Sequence, residues 1–447
     1  MLEFLPEPHC SGIGRPLVRI RPVPTGLHHE TAIVLKNSFY RHARWVLLAL
    51  PVAVLAGTAS AWFLWALDRA TGTRMGHPWL LWLLPAAGFA VGWFYLRYGS
   101  AVEGGVNLVI TEINAPQQPI PLRMAPLVLC ATVVSHLFGA SVGREGTAVQ
   151  MGGALADQLA RWCRLDETDR RIVLMTGISA GFASVFGTPL AGAVFGLEVL
   201  AVGRSRHAGL LPCLAAALLA DRVELLWGGW LGVHHTHYAL PLIPDVTARA
   251  LCAMAIAGVL FGLAARVFAG ATHALAGAMK RAMAYAPLRP FAGGMVVALA
   301  VWLLGTDKYI GLGIPTIVDA LRQPLPGHDF LAKMAFTIVS LGSGFKGGEV
   351  TPLFFIGATL GNALAPLLQQ PFALLAAVGF VAVFAGAANT PLACTVMAME
   401  LFGPGIGAHA AIACLMAYGC SGRTGIYKAQ NIDSSKRASR ETLPPVQ

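Results

Sequence analysis

The chain contains few charged residues for its length. Of its 447 residues only 12% are Asp, Glu, Lys or Arg, whereas roughly 25% is usual in a soluble globular domain. Hydrophobic residues make up 56%, and the mean hydropathy is +0.63. So few charges cannot cover the surface of a soluble protein of this size. The composition therefore excludes soluble, fibrous and disordered proteins and predicts an all-α polytopic membrane protein.

Several sequence patterns that would indicate other functions are missing. The sequence has no HExxH motif, no Walker loop and no CxxC pair among its eight cysteines, which argues against an intramembrane enzyme. We therefore expect no enzyme activity, no cofactor and no metal. The net charge of +10 could suggest nucleic acid. The basic residues, however, lie in the tails and short loops, as in membrane proteins with basic cytoplasmic loops.

The apolar stretches are short and interrupted. Several have fewer than the roughly 20 residues that a membrane-spanning helix needs. Glycine-rich polar segments break others, for example GASVGREG (139–146) and GSGFKGGE (342–349). Irregular backbone survives at membrane depth only where it is buried in protein or lines a cavity. This pattern is typical of transporters whose broken helices form the binding site.

An internal repeat divides the chain. GTPLAGAVFGLEVL (187–200) and NTPLACTVMAMELF (389–402) share six of fourteen residues, which predicts two homologous halves. Halves of this kind usually adopt inverted topology. The predicted organisation is a cytoplasmic N-terminal segment at 1–44, repeats at 45–220 and 249–427, an inter-repeat loop at 221–248 and a cytoplasmic tail at 428–447.

The inter-repeat loop contains three histidines, His234, His235 and His237. Such a cluster resembles part of a zinc site, but no convincing fourth ligand accompanies it. We therefore predict no metal there, and the function of the cluster stays open.

Three Thr-Pro pairs predict helix starts, at 188–189, 351–352 and 390–391. Thr is a good N-cap, and Pro at the first helical position gives up only an N–H that has no partner. Each start presents free amides and the positive end of a helix dipole. Within a membrane protein, some of these starts should face a negative group, and a transported anion is the natural candidate.

Acids at membrane depth are candidates for function, since each costs about 2.5–3.5 kcal/mol there. Glu198 and Glu400 occupy equivalent positions in the repeat, so we expect both to have a structural role at a helix end or a subunit contact. Glu145 and Glu349 have no acidic equivalent in the other half. These two acids are therefore the better candidates for chemistry.

The segment GREG (143–146) resembles the CLC family of chloride channels and proton-coupled anion antiporters. The similarity extends over about 45–430 and includes SAGFASVFGTPLAG (179–192) and the tyrosine of GIY (425–427). The resemblance implies a CLC-type fold and a homodimer. It also implies that Glu145 is a gate, which occupies an anion site when deprotonated and leaves it when protonated.

The departures from the family pattern favour one branch. Thr147 replaces the usual proline, GEVTP (348–352) replaces the usual G-x-F-x-P, and Val199 lies where chloride antiporters carry a second proton glutamate. The usual serine motif is not recognisable. These features, with TAVQMG (147–152), resemble the CLC-F fluoride/proton antiporters, although Val106 lies where that branch often carries Met.

The candidate site residues follow from the resemblance and from the repeat. The resemblance makes Glu145 the proton carrier, and Glu349 and Thr351 are candidates for the proton pathway because they are polar, asymmetric in the repeat and beside the expected anion site. The anion-binding residues would be Val106, Asn107, Gly146, Val350, Thr351 and Tyr427. Fluoride is small and strongly hydrated, so its site must supply close hydrogen-bond donors. Tyr427 could instead belong to an interfacial aromatic belt, and Thr351 could be a simple N-cap.

The predicted function is secondary active export of cytoplasmic fluoride in exchange for external protons. The expected location is the bacterial inner membrane, with several spans and both termini cytoplasmic. The transported ions would be fluoride and protons, and membrane lipids would surround the protein. We expect no binding of nucleic acid. The alternative is a CLC-type chloride/proton antiporter or chloride channel.

Overall fold

The computed structural model describes residues 26–202, 207–236, 238, 240 and 243–432, with side chains from residue 44 onward. The chain forms two compact units, Met1–Arg44 and Trp45–Gln447, and all that follows concerns the second. The helices of the described chain are α1 (Gly26–Gly76), α2 (Leu84–Tyr98), α3 (Val106–Asn114), α4 (Met124–Phe138), α5 (Glu145–Trp162), α6 (Glu167–Phe186), α7 (Pro189–Glu198), α8 (Leu210–Leu231), α9 (Ala248–Ala282), α10 (Leu288–Leu304), α11 (Ile314–Ala320), α12 (Asp329–Ser343), α13 (Val350–Leu368), α14 (Phe372–Ala388), α15 (Pro391–Phe402) and α16 (Gly407–Cys420). Two short strands, β1 (Ala201–Val202) and β2 (Asn431–Ile432), pair in parallel. The predicted all-α class with many short helices is confirmed.

Only part of the helical content is long enough to cross a membrane. In the described residues, four helical stretches have the length and apolar composition of a span: Arg44–Gly76, Pro78–Tyr98, Ala248–Ala282 and Val350–Leu368. Several further apolar helices have only 10–17 residues. Most of the last span is buried inside the protein, so α13 belongs to the core rather than to the lipid-facing surface.

Glycine contacts bring the core helices into close approach. In the first half, a Cβ on Gly152 of α5 would lie 2.2 Å from the carbonyl oxygen of Gly177 on α6. In the second half, a Cβ on Gly357 of α13 would lie 2.0 Å from the carbonyl oxygen of Gly379 on α14. Any larger residue would push the paired backbones apart, because small residues are what permit such close packing in membrane proteins. Both halves therefore pack a pair of core helices through close glycine contacts.

Two glutamates connect the halves reciprocally. Glu400 at the end of α15 accepts two hydrogen bonds from amides at the start of α7, and Glu198 at the end of α7 does the same for α15. The four N···O distances are 2.8–3.0 Å, with donors Leu190, Ala191, Leu392 and Ala393. Helices α7 and α15 are therefore antiparallel and related by a local two-fold axis. This arrangement confirms a structural, helix-end role for both acids.

The predicted boundary between the first repeat and its loop lies within a helix. Residues 221–231 continue α8, which ends at Leu231. Asp221 and Glu224 of this stretch are each less than a twentieth exposed. Glu224 Oε2 lies 2.6 Å from His235 Nε2. These polar residues are therefore buried in the protein, and His237 lies outside the described residues.

The first residues of the predicted tail contact the rest of the protein. Residues 425–432, which we call the C-terminal strap, are bound to the body of the protein. The Ala429 amide donates to Asn107 Oδ1 (3.0 Å), and Gln430 Nε2 donates to the carbonyl oxygens of Val199 (3.0 Å) and Ala388 (2.6 Å). Because each partner is more than 40 residues away in the sequence, no local pattern predicts these hydrogen bonds. Residues 433–447 lie outside the described chain.

Candidate functional site

Two helix starts, one from each half, are held together near the middle of the protein. Gly143 and Gly348 form an antiparallel bridge in which each amide donates to the other residue's carbonyl oxygen, at 2.6 and 2.8 Å. A Cβ on Gly348 would lie 2.7 Å from the amide nitrogen of Gly146, so a larger residue would force the segments apart. The bridge places the first amides of α5 and α13, which have no partner within their helices, beside one another.

The Glu145 carboxylate lies in this convergence. Its side chain is only 1% exposed. Oε2 accepts from the amide of Thr351 (3.1 Å) and from the amide of Arg144 (3.1 Å), while the Thr351 hydroxyl donates to Oε1. Arg144 Nε lies 3.5 Å from Oε1. A negatively charged group thus occupies a buried set of donors at the start of α13, which is an arrangement that suits an anion.

All three predicted Thr-Pro segments present a helix start to a carboxylate. The starts of α7 and α15 are occupied by Glu400 and Glu198, and the start of α13 by Glu145. The expectation that these segments face a negative group is therefore correct, but in two of the three cases the group is a structural glutamate. Only the start of α13 binds an acid that lacks an equivalent in the other half.

The Thr-Pro threonines differ in how far they act as N-caps. Thr188 and Thr390 are the N-cap residues of α7 and α15, as predicted, but neither side chain makes a capping bond, and Thr351 lies in the first turn of α13, which begins at Val350. The reason is that a carboxylate from elsewhere in the chain takes the capping position. Its two oxygens satisfy two amides at once, whereas a threonine hydroxyl satisfies one.

A cavity of about 290 Å³ reaches the site from one side. Its wall includes Val106, Asn107, Glu349 and Tyr427. Tyr427 is 3% exposed, and within the described chain its hydroxyl has no hydrogen-bond partner. A hydroxyl of a cavity-wall residue that has no protein partner has a free donor for a ligand. The geometry therefore favours the ligand interpretation of Tyr427 over that of a membrane-belt residue.

Glu349 and Gly146 also belong to this region. A Cβ built on Gly146 would lie 3.5 Å from Glu349 Oε2 and 3.8 Å from Val106 Cγ2. Glu349 immediately precedes α13, whose Thr351 holds the Glu145 carboxylate. The structure thus brings together Val106, Gly146, Glu349, the start of α13 and Tyr427. The first and last of these, Val106 and Tyr427, are 321 residues apart in the sequence.

Asn107 differs from what we expected. Its backbone amide donates to the carbonyl oxygen of Gly104 (3.1 Å), so the predicted helix-start donor is already used. Its side-chain Oδ1 accepts from Ala429 in the C-terminal strap (3.0 Å). Asn107 therefore helps to fix the strap that carries Tyr427, and only its Nδ2 group is left for a ligand.

Gln150 and Thr132, which were not predicted as site residues, also shape the site. Gln150 Nε2 donates to the carbonyl oxygen of Gly146 (3.0 Å), and the Thr147 and Thr132 hydroxyls bond to each other (2.7 Å). Gln150 lies four residues after Gly146 on one helix, so helical spacing could have indicated it. The Thr132 contact joins two helices, and no spacing rule predicts it.

The position of the absent second glutamate is filled by apolar and amide groups. Val199 is fully buried, and Gln430 Nε2 donates to its carbonyl oxygen (3.0 Å). Gln430 also accepts from Asn389 Nδ2 at its Oε1 (3.1 Å). The side chains at this position carry no titratable group, so it offers no site for a proton.

These contacts define what the site can do chemically. The donors at the start of α13 hold Glu145 while it is an anion. Protonation would remove the charge that these donors stabilise, and another small anion could then replace the carboxylate. Competition between a carboxylate and a soluble anion for one set of donors would couple anion movement to proton movement.

Comparison with known proteins agrees with the predicted family and fold. A sequence profile described as Voltage gated chloride channel matches residues 87–422. A "Chloride/fluoride channel protein" of Pseudomonas syringae pv. tomato is 62% identical over 400 residues, which is 88% of each chain. A crystal structure of a CLC-type fluoride/proton antiporter matches with a TM-score of 0.84 at 36% identity, over 88% of this chain and 98% of the other. A slow cyanobacterial Cl⁻/H⁺ antiporter matches with a TM-score of 0.74 over 90% of this chain and 99% of the other, and its 19% identity supports the fold alone.

Proposed function

Because the chain belongs to the voltage-gated chloride channel family, we propose that it is a secondary active transporter that exports cytoplasmic fluoride in exchange for external protons. The family assignment confirms the resemblance found at GREG (143–146). Members of this family are membrane ion transporters rather than enzymes. The specific ion, the coupling to protons and the roles of individual residues are the content of the proposal.

The observation that carries the proposal is the position of Glu145. Its carboxylate occupies the donors at the start of α13, held by the amide and hydroxyl of Thr351. A proton-coupled exchanger needs a titratable group in the anion position, since the same donors must bind either the deprotonated acid or the transported anion.

Each residue then has a definite task in the exchange. A proton that reaches Glu145 releases it from Thr351, and an anion from the 290 Å³ cavity takes its place. Tyr427 supplies a hydroxyl donor along the cavity wall. Glu349, on the same wall, accepts and passes protons on the side where Val199 offers no carboxyl.

Fluoride is favoured over chloride by several features. The relative with 62% identity carries fluoride in its name, and the solved antiporter with 36% identity is a fluoride/proton exchanger. Thr147 and GEVTP (348–352) differ from the chloride pattern. Donors that approach closely suit an anion whose tightly held water must be replaced.

A chloride channel or chloride/proton antiporter is the second candidate. The name of the most similar relative given above includes both chloride and the word channel. The two candidates differ in a measurable way. A channel would let the anion reach its electrochemical equilibrium without proton movement, whereas an exchanger would drive protons against their gradient.

The test is fluoride efflux from proteoliposomes, with internal pH recorded at the same time. A fluoride gradient should drive proton movement in the opposite direction, and an equal chloride gradient should drive little. Fluoride efflux without any pH change would exclude an exchanger. Equal proton movement with chloride would replace fluoride as the proposed substrate.

The assembly and orientation are also proposals. Lys280 and Arg281 lie in the last turn of α9, and Arg289 follows near the start of α10. Basic residues concentrate on cytoplasmic ends, which supports a cytoplasmic orientation for this end of the protein and for the cavity beside it. We propose a homodimer in the bacterial inner membrane with both termini cytoplasmic, and the repeats at 45–220 and 249–427. Cysteine crosslinking in membranes and labelling of each terminus test these points.

A further inference from the structure

A second cavity adjoins the one that reaches Tyr427. It has a volume of about 230 Å³, and its wall includes Lys280 and Arg289. The two cavities share part of their walls, notably Tyr95, Glu103 and Lys346. Together they form a route from a basic entrance to the Glu349 and Tyr427 end, and Lys346 lies at the junction.

Lys346 is a cation without an ion pair. Within the described residues, no carboxylate oxygen lies within 4.0 Å of its ammonium group. Instead Nζ lies 4.1 Å from the centre of the Tyr95 ring. Glu103, the acid on the shared wall, is an exposed side chain at longer range. A cation–π contact holds the ammonium in place without neutralising it, and it leaves N–H donors for a ligand.

The backbone around Lys346 fixes this position. Gly344 has a φ of 109° and Gly347 a φ of 157°, the first of which is strained for any residue with a Cβ. Between them, Phe345 is 4% exposed and contacts Gly88 of α2. With Phe345 anchored in the core, the next side chain in this turn lies in the cavity wall. Lys346 is therefore placed there by the fold.

Three other polar side chains that line the 290 Å³ cavity already have protein partners. Each of them contacts a backbone carbonyl oxygen. The pairs are Gln150 with Gly146, Thr272 with Phe268, and a ring nitrogen of His273 with Gly425. Among the described residues of this cavity wall, Lys346 is the cation that remains available for a ligand. A lysine near membrane depth is expensive and is a functional candidate by default.

We propose that Lys346, held on the Tyr95 ring, forms an anion-binding site at the junction of the two cavities, separate from the donors that hold Glu145. Its ligand is a small monovalent anion, and on the function proposed above that anion is cytoplasmic fluoride. The site binds the anion after it passes the basic entrance and before it reaches Tyr427. It raises the local anion concentration beside the gate and takes no part in proton transfer.

The test compares Lys346→Met, Lys346→Arg and Lys428→Met in proteoliposomes, with fluoride supplied at increasing concentration to the side of the Lys280 entrance. Lys428→Met is the matched control, because Lys428 is an exposed neighbour of Tyr427 outside both cavities. Loss of a charge-assisted hydrogen bond should raise the half-saturating fluoride concentration of Lys346→Met about tenfold. Lys346→Arg and Lys428→Met should stay near wild type, and the number of protons moved per fluoride should not change.

A second variant tests the charge within one folded protein. Lys346→Cys should show the same weakened saturation, and a 2-aminoethyl methanethiosulfonate adduct should restore it, whereas a neutral 2-hydroxyethyl adduct should not. Wild type treated with each reagent accounts for the native cysteines.

Three results would overturn the site: an unchanged half-saturating concentration in Lys346→Met, an equal shift in Lys428→Met, or equal rescue by both adducts. Failure of the proposed function gives a different result, since wild type would then move fluoride without protons or prefer chloride. In that case the same titration with the transported anion still tests Lys346.

Discussion

Replacing Tyr427 with Phe isolates the hydroxyl that the cavity geometry assigns to the anion. The change keeps the ring and its packing. Within the described chain the hydroxyl has no protein partner to lose, so the stability of the fold should not fall. A hydrogen bond to a charged group contributes about 1.5–3 kcal/mol, which corresponds to a roughly ten- to hundredfold loss of fluoride affinity.

Tyr309→Phe provides the matched control for this prediction. Tyr309 is equally buried, at 5% exposed, but its hydroxyl donates to Asp329 Oδ1 at 2.7 Å. It lines neither of the cavities described above. Loss of this bond should lower the thermal unfolding temperature and leave fluoride affinity unchanged. The two variants should therefore show opposite patterns of stability and affinity.

The assay combines calorimetric fluoride binding, efflux rate and thermal unfolding on dimers of equal purity. Tyr427→Phe should bind fluoride more weakly, export it more slowly and unfold at the wild-type temperature or slightly above. Wild-type binding and efflux in Tyr427→Phe would refute the assignment of this hydroxyl to the anion. A loss of affinity that merely follows a loss of stability would also refute it.

Further variants test the gate, the proton route and the caps. Glu145→Gln should abolish proton-coupled exchange, because an amide neither carries a proton nor competes as an anion, and normal coupling in a flux assay would remove Glu145 as the gate. Glu349→Gln and Thr351→Val should reduce fluoride-driven proton uptake while Val199→Ala should not, and normal uptake in both polar variants would require another route. Glu400→Gln should destabilise the protein by about 1–2 kcal/mol, since a charged cap on two amides is lost, and an unchanged unfolding temperature would contradict the capping role.

Much of the fold and part of the site could be predicted from the sequence. The short apolar stretches and the repeated Thr-Pro segments predicted an all-α protein with broken helices and two related halves. These signals are local, because composition and spacing along one helix determine them. The acids without an equivalent in the repeat, Glu145 and Glu349, lie together in the structure.

The features that could not be predicted depend on distant contacts. Ala429 binds Asn107 across 322 residues, and Glu400 caps the start of α7 across about 210. The predicted inter-repeat loop began at 221, whereas α8 continues for eleven more residues to Leu231. The sequence shows that Asp221 and Glu224 are polar, whereas only the fold shows that both are buried, with Glu224 beside His235.

The bridge between Gly143 and Gly348 restricts how the transport pathway can open. Rocking one half against the other, as many transporters do, would break both of its backbone hydrogen bonds and the four amide contacts of Glu198 and Glu400. Each buried donor left without a partner costs about 1–3 kcal/mol, so such a movement would be slow. We therefore expect the two halves to keep these contacts during transport, with the pathway opened by rotation of individual side chains. Covalent tethering of the halves to each other should therefore leave turnover intact.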